Sequence, residues 1–227
     1  VALLTLLVAL VALMLTPQGA IATEATAPGT AIVERSITIE DDTLGPLTFD
    51  AIAAGDPAAI TQDKLVLLLH GFPESRESFS ELLPVLAAKG YYAVAPNLRG
   101  YSRGVRPTDR AQYTVEKSAV DVVKMAFALG AQKFHVVGHD WGAGVAWGIS
   151  TAYPSVLKSV SALSTPHPDA LKKANESPEQ QQMLSYLKIV RLPYLEKAMF
   201  FAGPEGFALG LNLFGVPYSK ARIYART

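Results

Sequence analysis

The sequence contains no cysteine. A disulfide framework, a thiolate metal centre and a cysteine nucleophile are therefore excluded. It also lacks an excess of charge of either sign: 20 Lys and Arg face 20 Asp and Glu, for a formal net charge of +0. With no basic stripe and no acidic tail, nucleic acid is not an expected partner. Charged residues make up 18% of the chain and hydrophobic residues 50%. That balance excludes a disordered chain, and 227 residues are enough for one large domain with a buried core. No internal repeat is present.

The chain opens with VALLTLLVALVALML, an apolar run interrupted only by Thr5, and Ala20-Ile21-Ala22 follows as a small-x-small site. A secretory apolar region runs to about 7–15 residues, whereas a membrane span needs about 20. Residues 1–22 are therefore expected to be a signal peptide, with an uncleaved N-terminal anchor as the alternative. The protein is expected to be secreted or extracytoplasmic, with no membrane span beyond that leader. No initiator Met and no charged segment precede the apolar run, so the chain is expected to start part-way into the leader. Residues 23–31, TEATAPGTA, read as a linker.

From residue 32 the pattern becomes rhythmic. IVERSITI (32–39) alternates apolar and polar residues, and LTFDAIAAG (47–55) follows the Gly45-Pro46 turn, which predicts two adjacent antiparallel strands. KLVLLLH (64–70) is a continuous apolar run, as in a strand buried on both faces. Helical spacing over 77–89 predicts a helix, 91–96 a strand, and TVEKSAVDVVKMAFALG (114–130) an amphipathic helix stopped by Gly130. A strand at 133–138, a helix at 141–152 and a strand at 156–164 complete the series. Alternating strands and helices predict an α/β fold, a mostly parallel sheet with helices on both faces. Reactive groups in such sheets gather at the carboxyl ends of the strands. Three motifs fall there: HGFPES (70–75), NLRGYSRG (97–104) and GHDWGA (138–143). From Thr165 onward the rhythm gives way to a polar, Pro-rich stretch and then to apolar helical segments.

In GHDWGA the strand ends near Gly138 and the helix begins near Trp141, so Asp140 occupies the turn between them. An aspartate in front of a helix is also a favoured N-cap. The small residues 138, 142 and 143 instead fit a nucleophile elbow, in which strand and helix approach closely and one side chain is pushed into the site. Serine attacking a saturated carbon would leave a stable ether. A carboxylate leaves an ester, whose carbonyl water can attack, and it is ionised near neutrality without help from a base. Asp140 therefore points to substitution at an sp3 carbon with a built-in leaving group, either an epoxide C–O or a carbon–halogen bond. Ester breakdown passes through an oxyanion, which needs two backbone N–H donors, here expected from Phe72 and Trp141.

Taken together, HGFPES, NLRGYSRG and GHDWGA resemble the α/β-hydrolase superfamily, and within it the epoxide hydrolases, over roughly residues 32–200. The resemblance implies a core at 32–164 and the start of a helical cap at 165–227. It implies hydrolysis of a small, apolar epoxide to a diol through an Asp140 ester, with Phe72 and Trp141 also lining the substrate site. It further implies two cap tyrosines that hydrogen-bond the epoxide oxygen. Tyr186 stands where the first would fall, with Tyr194 as its rival. The Phe72–Pro73 bond is expected to be cis, and no cofactor or metal is implied. The family's general-base histidine, its acid partner, the second tyrosine and the last strands of the sheet are expected to lie outside this chain. His70 belongs to the loop after its strand, His135 to a strand, His139 to the structural surroundings of Asp140 and His167 to the start of the cap. A haloalkane or haloacid dehalogenase using the same Asp is the enzymatic alternative. Phe72 disfavours it, because it offers a halide no side-chain donor. A secreted, non-catalytic binding protein of the same fold is the other alternative.

Overall fold

In the computed structural model the described residues are 29–185, together with 203–206 and 208. The expected leader, most of the linker, Tyr186, Tyr194 and the rest of the expected cap lie outside them. Six strands form one sheet: β1 (Val33–Asp41), β2 (Gly45–Ala54), β3 (Leu65–Leu69), β4 (Tyr92–Pro96), β5 (Phe134–His139) and β6 (Leu157–Leu163). Their spatial order is β1-β2-β4-β3-β5-β6. The β1–β2 and β2–β4 pairs are antiparallel, and the β4–β3, β3–β5 and β5–β6 pairs are parallel.

Within residues 29–185 there are five α-helices: α1 (Leu82–Ala88), α2 (Val115–Ala128), α3 (Trp141–Ala152), α4 (Pro168–Ala174) and α5 (Pro178–Met183). Side chains alternate along the fully buried β3, and the two faces bury different partners. Val66 and Leu68 pack with Phe79 and Leu83 on the α1 side. Leu65, Leu67 and Leu69 pack with Val122, Met125 and Ile149 of α2 and α3. The sheet is thus covered on both faces, as the apolar run of β3 predicts. Among the described residues no helix is long and apolar enough to cross a membrane.

One expectation needs correction. Residues 77–89 do not form a single helix: a 3-10 turn at Arg76–Phe79 comes first, and α1 starts at Leu82. Pro84 explains the delay. It lacks an N–H and its ring clashes with the carbonyl four residues back, so it is tolerated only in a helix's first turn. Elsewhere the sequence signals hold to within a residue or two. Thr114 caps α2 by accepting the Lys117 N–H, and Gly130 takes φ +93 beyond the helix end.

Strand order reverses around β3. The chain steps from β3 to β4 on one side, then crosses to β5 on the other. The crevice between the carboxyl ends of β3 and β5 is therefore the expected site of chemistry. His70-Gly71-Phe72 leaves β3 there, and Asp140 follows β5.

Candidate active site

Asp140 is the hinge between β5 and α3, with φ 51 and ψ −115. A non-glycine residue in this region costs about 1–3 kcal/mol and persists only where its surroundings enforce it. Close packing enforces it here: a Cβ at Gly142 would run into the Leu69 and His70 carbonyls. Although Asp140 stands at the N-cap position, its side chain makes no capping hydrogen bond. Instead, Oδ1 accepts the Phe72 N–H at 3.0 Å. No hydrogen-bond partner of Oδ2 is found among the described residues. Gly71 allows this approach, since a Cβ there would collide with the Asp140 carboxylate. The Phe72–Pro73 bond is cis. Trp141 is the first residue of α3, where a backbone N–H has no partner within the helix.

The four histidines have separate roles. His70 is fully buried, and its Nε2 accepts the Leu98 N–H at 3.1 Å. The proton therefore sits on Nδ1, which donates to the Gly71 carbonyl at 2.9 Å. Burial lowers its pKa to about 4, so this neutral tautomer persists near neutrality and ties the loop after β3 to that after β4. His135 bonds Ser159 Oγ at 2.7 Å, one residue into β5 and far from Asp140. His167 accepts the Asp169 N–H as the N-cap of α4, and its ring lies edge-on to Trp147 at 5.1 Å.

His139 is the one histidine beside Asp140 that carries a charge partner. Its Nδ1 lies 3.0 Å from Glu74 Oε2. The hydrogen bond to Glu74 raises the His139 pKa above its ordinary value, although burial opposes the shift. For Glu74, burial alone would raise the pKa, but the His139 hydrogen bond and charge outweigh it and hold the carboxyl low. The same carboxylate accepts the Gly71 N–H at 3.4 Å. An ion pair thus braces the loop that carries Phe72. Glu74 lies within HGFPES, where the sequence alone gives it no assigned part. Its signal was a carboxylate two residues beyond Phe72, opposite the histidine that precedes Asp140.

Arg99 anchors the neighbouring loop. Its fork binds Asp121 of α2 at 2.8 and 2.7 Å, and Nη2 also reaches Asp41 of β1 at 3.0 Å. Tyr101 packs edge-on against His70 at 4.5 Å. Burial and the Asp140 and Glu74 carboxylates raise its pKa well above the ordinary phenol value, so it stays a hydrogen-bond donor. Phe72, Trp141, Tyr101 and Tyr113 line a pocket of about 280 Å³. A larger open depression of about 590 Å³ lies along α4 and α5 and includes none of these residues. Among the described residues no cluster of acidic and histidine side chains could hold a metal ion.

The sequence and the fold have counterparts among known proteins. The α/β hydrolase fold family matches residues 64–191, more than half of the chain, and the chain belongs to that family. Within it, the chain is epoxide hydrolase-like. It is 37% identical to epoxide hydrolase A of Mycobacterium tuberculosis (strain ATCC 25618 / H37Rv) over 129 residues, 57% of this chain and 38% of that protein. It is 32% identical to human epoxide hydrolase 4 over 155 residues, 68% of this chain and 41% of that protein. The crystal structure of epoxide hydrolase VrEH1 from Vigna radiata superposes with a TM-score of 0.62 at 26% identity, covering 79% of this chain and 54% of that one. The chain spans about two fifths of the length of the curated relatives it matches.

Proposed function

We propose that this chain carries the nucleophilic centre of an epoxide hydrolase acting on a small, apolar epoxide. The observation that supports this best is the Asp140 carboxylate at a strained elbow: one oxygen is held by the Phe72 N–H, and the other has no hydrogen-bond partner among the described residues. In this reading Oδ2 attacks an epoxide carbon, the C–O bond breaks, and the alkoxide takes a proton from a hydrogen-bond donor above it. Tyr186 is the proposed donor. The product is an alkyl ester of Asp140. Water then adds to the ester carbonyl, giving up one proton to the deprotonated donor and so restoring it, and the resulting oxyanion is held by the Phe72 and Trp141 N–H groups. Collapse expels the diol and restores the carboxylate.

The pocket walls fit an apolar substrate, and Phe72 and Trp141 stand where they would touch it. The names of the relatives favour an epoxide over a carbon–halogen bond, and the lack of a side-chain halide donor at Phe72 agrees. The test is intact-mass analysis of the chain after incubation with a simple aryl epoxide. A covalent adduct that maps to Asp140 and is absent from D140N is expected. No adduct, or an adduct that survives D140N, refutes the proposal.

A further inference from the structure

The main chain of Asp140 is gripped from outside its own strand and helix. Its N–H donates to the Leu163 carbonyl at 3.1 Å. Its C=O accepts the Thr165 hydroxyl at 3.0 Å. Between these two partners Ser164 turns at φ 64, which places the end of β6 and Thr165 on opposite sides of one residue. Thr165 is itself held, because Trp147 Nε1, two turns into α3, donates to its carbonyl at 3.0 Å. The Asp140 carbonyl also accepts the Ala143 and Gly144 N–H groups at 3.0 and 3.2 Å. Those two bonds belong to α3 and move with it, so the hydroxyl is the tie from outside.

A trans peptide is planar, and its C=O and N–H point in opposite directions. Fixing the Asp140 carbonyl therefore fixes the Trp141 N–H on the other side of the same plane. Without the tie, the strain at φ 51 and ψ −115 would favour rotation of that plane. We propose that Thr165 is a positioning residue that clamps the Asp140–Trp141 peptide and so aims the Trp141 N–H at the reacting carboxylate. This inference rests on the reading of Asp140 as nucleophile.

The two chemical steps should respond differently. Attack disperses the carboxylate's charge, so backbone donors help it little. Ester breakdown builds charge on one oxygen, where such donors matter most. Losing an oxyanion donor outright costs about 10²–10³-fold, and misaiming one should cost roughly tenfold.

The test follows adduct formation and adduct breakdown by intact mass, with hydroxylamine added to drive breakdown to the hydroxamate. T165V is expected to form the Asp140 adduct within about threefold of the wild-type rate and to break it down roughly tenfold more slowly. T165S, which restores the hydroxyl, should recover the wild-type breakdown rate, and W147F should fall between the two. Equal breakdown in T165V and wild type, or a T165S as slow as T165V, overturns the clamp. If the wild type forms no adduct, the reading of Asp140 fails on its own. The clamp is then decided by amide hydrogen exchange at Ala143 and Gly144, whose N–H groups donate to the clamped Asp140 carbonyl, expected to quicken severalfold in T165V and return to normal in T165S. Unchanged exchange overturns it regardless of the chemistry.

Discussion

Replacing Glu74 with glutamine probes the ion pair behind the Phe72 loop while keeping shape and a hydrogen-bond acceptor for the Gly71 N–H. The His139–Glu74 contact is 3.0 Å long, and the two side chains are 36% and 25% exposed. A charge-assisted hydrogen bond contributes about 1.5–3 kcal/mol when well enclosed. Discounted for solvent screening at this exposure, the pair should contribute about 1 kcal/mol. The pH dependence follows from the directions of the two shifts. The raised His139 pKa contributes stability that is complete below the ordinary imidazole value of about 6.5 and is lost as pH rises through the folded value. The lowered Glu74 pKa contributes stability that is complete above the ordinary carboxyl value of about 4.3 and is lost as pH falls through the folded value. The E74Q penalty should therefore peak between about pH 4.5 and 6.5 and shrink as pH rises through the raised His139 value. Thermal unfolding at pH 5.5 should show a midpoint about 2–4 °C lower than wild type. An NMR titration should show the His139 pKa dropping toward its ordinary value. A penalty that does not vary with pH, or an unmoved His139 titration, would refute the argument.

Other substitutions test other parts of the site. R99M leaves the Asp121 and Asp41 carboxylates without their shared cation, and urea unfolding should show a loss of about 3–5 kcal/mol. R99K should recover only part of it, since an ammonium cannot reproduce the two-pronged contact. D140G should raise stability by about 1 kcal/mol in the same assay by relieving the positive φ, while abolishing adduct formation. D140N should abolish adduct formation without that gain. G71A puts a methyl group against the Asp140 carboxylate, and mass spectrometry should show adduct formation slowed about 10²-fold.

The parts of the fold legible in the sequence were those set by local periodicity. The unbroken apolar run Leu65–Leu69 marked a strand buried on both faces, and the period of residues 115–128 marked α2. The start of α1 was misread because apolar spacing continues through Ser80 and Glu81, while Pro84 sets the limit by steric exclusion, which spacing does not report. Asp140 stood out because glycine and alanine surround it where a strand meets a helix. Glu74 did not stand out, because its partner lies 65 residues away in sequence and the two meet only after β3 and β5 pair. Thr165 was harder still. Nothing in SALSTPH distinguishes a threonine that binds a backbone carbonyl from one that faces solvent.

The two residues hidden from sequence reading act on opposite walls of one site. Glu74 accepts from Gly71 and pairs with His139, bracing the loop that presents the Phe72 N–H. Thr165 holds the peptide that carries the Trp141 N–H. Phe72 leaves the end of β3, whereas Trp141 opens α3 after β5, so no single local turn could place both residues beside Asp140. Parallel pairing of β3 with β5 sets their spacing to within the sheet's own precision, through a register that runs from Val66–His135 to Leu69–Gly138. The remaining freedom is rotational, in the two peptide planes themselves: the Gly71 carbonyl accepts from His70 Nδ1 and the Glu74 N–H, and the Asp140 carbonyl accepts the Thr165 hydroxyl. Oxyanion donors are useful only if they need not reorient as charge develops. Those contacts are therefore as much a part of the proposed chemistry as the strands that bring the loops together.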